Sequence, residues 1–218
     1  MKNIYMKFVR VMAATAVALG LTSCLEKTPG DYIPETESMN SLNGAEQVLT
    51  GIYTSYMSSG LYSGYLTLCP DVQSDLVYAV QGNTNTLGNI WQWDIRSTNS
   101  EVESVYAALY RVIGRCNFFL DQVEELRNSM TDDESSQTLD YYTGEVYCAR
   151  ALAYSELIKC FCKAYDPATA ENELGVVLAD TYFGKNPAKR ASLYDSYQFV
   201  ISDLTKAEEL LDPDYDYY

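Results

Sequence analysis

Two tryptophans that lie two residues apart are the best candidates for a ligand-binding site. Trp91 and Trp93 flank Gln92, and Asn89 lies just before them. A flat indole ring can stack on an apolar ring face of a ligand, while neighbouring amides bind its hydroxyl groups. On a strand, a spacing of two would place both rings on one face. The alternative is that both tryptophans pack onto the fold, since tryptophan is mostly buried.

The surrounding stretch, residues 58–100, lacks a helical period. It carries four glycines, a proline and both tryptophans of the chain. We predict a long structured excursion of turns or short strands, and loops of this length in a compact domain are usually functional. Its tyrosines are weaker ligand candidates, with Tyr78 foremost and Tyr62 and Tyr65 behind it.

Catalytic chemistry is poorly supported by the residue types. The chain has no histidine, which excludes a Ser-His-Asp triad, a Cys-His dyad and zinc held by histidine. With 30 Asp+Glu, some pair at the separation of a glycosidase is inevitable, so such a pair has no specificity. Five cysteines follow Cys24 without a Cys-x-x-Cys pair, and Cys116 and Cys160 are expected to be buried thiols. We expect no enzyme, no cofactor and no metal.

Charge excludes another class of protein. The formal net charge is −15, from 15 Lys+Arg and 30 Asp+Glu. Nucleic acid is bound by clustered Lys and Arg, so it is not an expected partner. At 47% hydrophobic and 21% charged residues, the chain is globular, and 218 residues are enough to bury one core.

The first 24 residues are typical of a lipoprotein export signal. Lys2, Lys7 and Arg10 form a basic start, and an uncharged run of 11 residues follows. A membrane-spanning helix needs about 20 apolar residues, whereas a signal peptide needs about 7–15. The sequence Leu21-Thr22-Ser23-Cys24 then resembles a bacterial lipobox, whose cysteine becomes the lipidated first residue. The alternative is ordinary secretion with an incidental cysteine.

These patterns predict three parts: a signal peptide over 1–23, a lipidated tether over 24–39 and a helical domain over 40–218. Removal of 1–23 takes away three Lys/Arg and no acid, so 12 minus 30 leaves −18 over 195 residues. Such an acidic surface repels anionic headgroups. The lipid on Cys24 would therefore hold the protein at the membrane.

Four segments show the apolar period of an amphipathic helix. They run over about 42–57, 101–128, 134–163 and 193–211. Ser192 with Asp195 predicts a capping box at the start of the last helix, and the acidic run 132–134 predicts the start of the third. The chain is therefore predicted to be all-α. Its fold is predicted to consist of stacked helix pairs, and the excursion is predicted to lie between the first and second helices.

Four polar or small residues of these helices are interpreted as structural. Arg150 lies within an apolar helix face, where a charge must be paired or extended to solvent. Its expected partner is Glu145, or a carboxylate on a neighbouring helix such as Asp203. Gly144 would allow a neighbouring helix to approach closely.

Five segments, in order along the chain, resemble SusD/RagB-type outer-membrane lipoproteins. The most specific is Gly144-Glu-Val-Tyr-Cys-Ala-Arg-Ala-Leu-Ala-Tyr-Ser-Glu-Leu157, which resembles the signature helix of that family. That helix has Gly-Glu, an apolar pair, Arg-Ala, an aromatic residue and Leu. The other matching segments are 47–53, 110–117, 174–178 and 190–211. One departure is Val177, which stands where the family favours proline.

The resemblance implies a fold, a ligand and a partner. The fold would be tetratricopeptide-like helix pairs. The protein would bind glycan on the outer face of the outer membrane and pass it to a SusC-like TonB-dependent transporter. Trp91, Trp93, Asn89, Gln92 and Tyr78 would then contact the glycan. Because full members are more than twice as long, the chain is expected to be an N-terminal portion.

A rival function remains open at this point. A lipid-anchored helical-repeat protein could act as an adaptor between proteins, with no small ligand of its own. The two hypotheses differ in what Trp91 and Trp93 do, since only the first needs them to contact a glycan.

Overall fold

The computed structural model describes residues 38–78, 80, 82, 84 and 86–211. The predicted signal peptide, the lipidation site Cys24 and nearly all of the predicted tether lie outside these residues. The last tether position, Met39, is 5% exposed and belongs to the packed core. No helix in the described part of the chain combines the length and apolarity needed to cross a membrane.

Six helices make up the regular structure of the described residues, which confirms the all-α prediction. In chain order they are α1 (Leu42–Tyr56), α2 (Tyr65–Gln73), α3 (Gly88–Trp91), α4 (Ser100–Ser129), α5 (Asp133–Phe161) and α6 (Leu193–Leu210). The described residues contain no named strand, and one isolated antiparallel bridge joins Leu174 to Ser192.

The four predicted helices α1, α4, α5 and α6 pack in stacked pairs. A connection of three residues joins α4 to α5, and α6 lies against α5, while α1 contacts both α4 and α5. Most of the buried side chains come from the periodic faces that the sequence predicted, and Leu61 and Ile90 of the excursion join them. The largest fully buried ones are Ile52, Leu61, Ile90, Leu109, Val112, Ile113, Phe119, Leu139, Val146, Tyr154, Leu157 and Leu193.

Side-chain caps start three of these helices, and the sequence indicated two of them, at Asp132 and Ser192. Ser41 Oγ accepts from the Gly44 amide at the start of α1. Asp132 accepts from the Ser135 amide at 2.8 Å, and this backbone hydrogen bond lowers the pKa of Asp132. Ser192 accepts from the amide of Asp195 at 2.9 Å. Each cap satisfies an amide that has no partner within its own helix.

A buried ion pair joins α5 to α6, and its partner is Asp203 rather than Glu145. Arg150 Nε and Nη2 donate to the two carboxylate oxygens of Asp203 at 2.7 and 2.8 Å. Arg150 Nη1 donates to Asn117 Oδ1 on α4 at 2.7 Å. Burial disfavours the charged guanidinium, but the hydrogen bond and charge of Asp203 outweigh burial and raise the pKa of Arg150.

An extended segment, residues 175–179, is clamped by tyrosines of α4 and α5. The Tyr110 hydroxyl donates to the Val177 carbonyl and accepts from the Val177 amide, at 2.9 and 3.1 Å. Tyr154 binds the carbonyl and amide of Ala179 in the same way, at 2.8 and 2.7 Å. Asn117 donates to the same Ala179 carbonyl at 2.9 Å. Val177 thus supplies an N–H donor that proline would lack.

Close contact explains Gly144 in the signature helix. A Cβ at this position would lie 2.8 Å from Leu211 Cγ and 3.2 Å from Leu210 Cβ. These distances are shorter than normal packing allows, so the end of α6 can approach α5 only because residue 144 has no side chain. Gly144 therefore lies at a close contact between α5 and the end of α6.

Two details differ from the sequence predictions. The excursion, residues 58–100, contains the short helices α2 and α3 instead of strands. Cys160 is exposed, whereas Cys116 is fully buried as predicted. Cys160 continues the apolar spacing of α5, but that helix ends at Phe161, so the spacing places Cys160 at the end of the packed face rather than within it. All five described cysteines are free thiols.

The buried ion pair predicts an asymmetric response to mutation. Arg150→Met should lower the free energy of unfolding by about 3–5 kcal/mol, because it leaves Asp203 buried and uncompensated. Arg150→Met/Asp203→Leu should cost less than the single change. Urea unfolding measures both. Arg127→Met removes a more exposed partner of Asp140 and should cost under about 1 kcal/mol. Additive costs for Arg150 and Asp203 would contradict the coupling.

The buried Cys116 thiol predicts a loss of stability in alkali. Burial raises the pKa of this thiol from 9.0 to about 12. The unfolded chain therefore releases the proton first, so stability is full below pH 9 and falls as the pH rises towards 12. Urea unfolding between pH 8 and 11 should show this slope, and Cys116→Ala should reduce it by roughly one proton. An unchanged slope in Cys116→Ala would contradict the assignment.

Candidate functional site

The predicted tryptophan site is built on the short helix α3 and the turn that ends it. The Trp93 amide donates to the Ile90 carbonyl at 3.1 Å, and the Asp94 amide donates to the Asn89 carbonyl at 2.9 Å. This pair of hydrogen bonds is a Schellman motif, which ends a helix with one residue in the left-handed conformation. That residue is normally glycine, but here it is Trp93, with φ of 57°.

The motif therefore holds a large aromatic side chain in a conformation that costs about 1–2 kcal/mol for a residue with a Cβ. Trp93 is 67% exposed, so burial of its ring does not repay that cost. Strained backbone positions of this kind cluster at ligand sites. The left-handed backbone at Trp93 therefore destabilises the turn. Stability does not explain why a tryptophan is at this position.

The turn presents the predicted residues together on the surface. Trp91, the last residue of α3, is 49% exposed, and Asn89 and Gln92 are also exposed. Both rings are therefore exposed, as a ligand-binding site requires. They are not on one face of a strand, because a helical turn connects them. Indole faces and amide groups lie side by side, which suits a ligand with both apolar faces and hydroxyl groups.

Two anchors hold this turn to the helical scaffold. Ile90 is 1% exposed, and its buried side chain holds α3 against the core. Its neighbours Asn89 and Trp91 are exposed. Asn99, at the start of α4, is buried, and its side-chain oxygen accepts from the Arg96 amide. Arg96 in turn pairs with Asp94 at 2.7 Å. The exposed tryptophans therefore stand on backbone that is fixed from both ends.

A pocket of about 330 Å³ lies beside this turn. Ile90 and Ile95, which flank the tryptophans, line it together with residues of α2, the start of α4 and the end of α5. Glu101 and Lys159 lie at the same pocket and supply charges of opposite sign. Its volume is at the lower end of the range for small-ligand pockets.

The three tyrosines of the excursion occupy different environments. Tyr78 is 83% exposed, on the segment between α2 and α3. The Tyr62 hydroxyl donates to Glu156 at 3.2 Å, and burial together with that carboxylate raises the pKa of Tyr62 to about 12. Tyr65 packs against the core at the start of α2. Of these three side chains, Tyr78 alone is mostly exposed.

A second concave surface lies between α1 and α5 and was not predicted. It is a groove of about 600 Å³ whose residues are mainly apolar or aromatic. Its lining residues are Thr50, Tyr53, Thr54, Tyr56, Met57, Tyr62, Tyr141, Glu145, Cys148, Ala149, Leu152 and Leu211. Glu145 accepts from the Tyr53 hydroxyl at 3.0 Å, and burial and this carboxylate raise the pKa of Tyr53. Tyr53 is 49% exposed in this groove.

Metal binding has no support in these surfaces. Among the described residues, no three His, Cys, Asp or Glu side chains converge in a way that could hold a metal ion. The two concave surfaces instead combine aromatic rings with amides, hydroxyls and isolated charges. Such surfaces bind neutral or weakly charged molecules through stacking and hydrogen bonds.

Paired helices that carry an exposed aromatic turn indicate a binding protein. Comparison with known proteins identifies its family. A SusD-like family, described as "Starch-binding associating with outer membrane", matches residues 25–218. The chain therefore belongs to the SusD-like family, as its signature helix indicated. No curated protein matches it significantly.

Solved structures of Bacteroides proteins share the fold. A proposed sugar-binding protein from Bacteroides vulgatus ATCC 8482 is 26% identical, with a TM-score of 0.65 over 82% of this chain. A SusD homolog from Bacteroides thetaiotaomicron VPI-5482 is 24% identical, with a TM-score of 0.66 over 82%. A SusD superfamily protein from Bacteroides vulgatus ATCC 8482 is 18% identical, with a TM-score of 0.66 over 81%. The chain spans 39%, 32% and 39% of these three proteins.

The left-handed turn predicts that Trp93 lowers stability. Trp93→Gly should raise the free energy of unfolding by up to about 1 kcal/mol, because glycine adopts this conformation without a steric cost. The matched control is Trp91→Gly, which places glycine inside α3 and should lower it by about 1 kcal/mol. Urea unfolding measures both. If the two changes shift stability in the same direction, the assignment of strain to Trp93 is wrong.

Proposed function

We propose that this protein binds oligosaccharides through the turn that carries Trp91 and Trp93. The observation that carries the proposal is that this turn exposes both indole rings while Ile90 and Asn99 fix its backbone. Sugar rings have apolar C–H faces that stack on aromatic rings, and their hydroxyl groups match the amides of Asn89 and Gln92. The starch-binding description of the family and the sugar-binding relative support the same ligand class.

We further propose that the protein is a lipoprotein of the outer membrane, on the extracellular face. The lipobox-like sequence that ends in Cys24 supports a lipid anchor, and the family description supports association with the outer membrane. Residues 1–23 would be removed, residues 24–39 would act as the tether, and the rest would form the family's N-terminal helical portion.

The proposed partner is a SusC-like TonB-dependent transporter, to which the protein delivers its glycan. The resemblance to SusD-type lipoproteins supports this partner. The groove between α1 and α5 could contribute to a protein contact, because Met57 and Leu152 are 65% and 41% exposed there. We propose binding rather than catalysis, since exposed indole rings and amide side chains make up the turn on which the proposal rests.

The groove also favours a second candidate function, an adaptor that contacts proteins without a glycan ligand. Glycan binding requires Trp91 and Trp93 to contact the ligand, whereas the adaptor function does not require this contact. Co-purification of a large β-barrel protein with the intact lipoprotein, without any response to glycans, would favour the adaptor.

Replacement of the exposed tryptophans tests the glycan proposal. Trp91→Ala and Trp93→Ala should each weaken binding of a responsive glycan by about 3- to 10-fold, the value of one aromatic stacking contact. Calorimetry and tryptophan fluorescence across plant, host and microbial glycans identify that ligand. Leu152→Ala, in the groove, is the control and should leave glycan affinity unchanged. No response of the unmodified protein to any glycan of the panel would overturn the proposal.

A further inference from the structure

A second exposed surface lies on the loop between residue 180 and α6, which we name the aromatic-basic loop (residues 180–190). Tyr182 and Phe183 are 42% and 62% exposed on it, although both rings contact Phe118 of α4, at centroid distances of 5.2 and 6.0 Å. The two loop rings also contact each other edge to face at 4.9 Å. They form a partly exposed aromatic surface that is supported by Phe118.

Asp121 of α4 fixes the backbone of this loop. One oxygen of its carboxylate accepts from the Thr181 hydroxyl at 2.8 Å and from the amides of Tyr182 and Phe183 at 2.7 and 3.2 Å. Asn186 closes the loop, because its side chain accepts from the Thr181 amide and donates to the Thr181 carbonyl. The loop is therefore organised before a ligand arrives, which lowers the entropic cost of binding.

The charge of the loop is opposite to that of the rest of the chain. Residues 180–190 hold three Lys/Arg and one acid, Asp180, in a chain whose net charge is −15. No 11-residue window after Cys24 that lies clear of this loop holds three Lys/Arg. Lys185 and Lys189 are exposed, and neither forms an ion pair with any described residue.

The other described charges around the loop do not cancel its positive charge. Arg190 donates to the backbone carbonyls of Phe161 and Leu174 at 2.9 and 3.2 Å, and it forms no ion pair with a carboxylate of the described residues. Asp121 has its charge shared among three donors of the loop. Asp180 is exposed at the start of the loop and is the nearest other acid along the chain.

We propose that the aromatic-basic loop binds acidic oligosaccharides, whose sugar rings carry carboxylate groups. The exposed rings of Tyr182 and Phe183 offer stacking surfaces for the sugar faces, and Lys185 and Lys189 supply partners for the carboxylates. This inference rests on the proposed glycan-binding function, since an acidic protein would satisfy the lysines but would not need the open aromatic surface.

This surface is distinct from the tryptophan site. Asp121 lies about 33 Å farther along α4 than Asn99, which anchors the turn with Trp91 and Trp93. The two surfaces can therefore be tested separately. The tryptophan site has amides between its rings and suits neutral sugars, whereas the aromatic-basic loop adds charge selectivity.

The test compares two forms of one ligand on the full chain. The probes are an oligogalacturonate and the same oligomer with its carboxylates methyl-esterified, which removes the charges and adds one methyl group at each. Calorimetry should show about tenfold tighter binding of the acid at low ionic strength, the value expected for two exposed charge contacts, and a smaller ratio at physiological salt. Lys185→Gln/Lys189→Gln should bring the ratio close to one.

Two control variants identify the surface. Lys206→Gln removes the same charge from α6 and should keep the preference for the acid. Phe183→Ala should weaken both forms of the ligand by a similar factor, because it removes stacking and leaves the charges. Thermal unfolding checks that these exposed changes leave the fold intact.

The contradicting outcomes are separate from those for the tryptophan site. If the acid preference is absent, or survives in Lys185→Gln/Lys189→Gln, the inference fails even when neutral glycans bind through Trp91 and Trp93. If poly-glutamate displaces oligogalacturonate with the same dependence on the two lysines, the loop is a surface for acidic peptides and the glycan assignment fails. If neither form of the ligand binds, the inference fails, and the neutral panel decides the proposed function separately.

Discussion

The buried pair of Arg150 and Asp203 is the interaction on which the rest of the structure depends. It connects three helices at one point, because Arg150 lies on α5, Asp203 on α6, and Asn117 on α4 receives the remaining guanidinium hydrogen bond. Moving two charges out of water costs several kcal/mol per ion, which their attraction repays only in good geometry. The pair therefore adds little net stability, but other arrangements of the helices would leave a charge unpaired. Its effect is to select one packing of the three helices.

The hydrogen bonds around Arg150 continue from the core to the connection that precedes α6. Asn117 contacts both Arg150 and the Ala179 carbonyl, and Tyr154 holds the amide and carbonyl of that same residue. The extended segment 175–179 thereby becomes part of the core, although it contains no regular structure. The aromatic-basic loop follows directly from this segment. The packed segment 175–179 thus fixes the position at which the aromatic-basic loop begins.

Both proposed ligand surfaces are attached to α4 and depend on its rigidity. Asn99 at its start fixes the turn with Trp91 and Trp93, and Asp121 in its second half fixes the loop with Tyr182 and Phe183. The helix spans 30 residues and buries a continuous apolar face against its neighbours. The exposed aromatic rings are costly in themselves, and at Trp93 the backbone is strained as well. The packed helices supply the stability that this exposure requires.

The sequence by itself determined the four long helices, their starts at Ser192 and Asp132, and the family signature. These features depend on local periodicity, on capping side chains and on residue types, all of which act over a few neighbouring residues. Only the tertiary structure decided that Asp203 rather than Glu145 pairs with Arg150, that the excursion forms helices, that Cys160 is exposed and that Tyr53 faces a groove. Each of these depends on which distant segment lies against a given face, and local periodicity carries no information on that neighbour. Tyr182 and Phe183 show the same limit, because only the contacts of Asp121 and Phe118 reveal that this loop is a fixed surface.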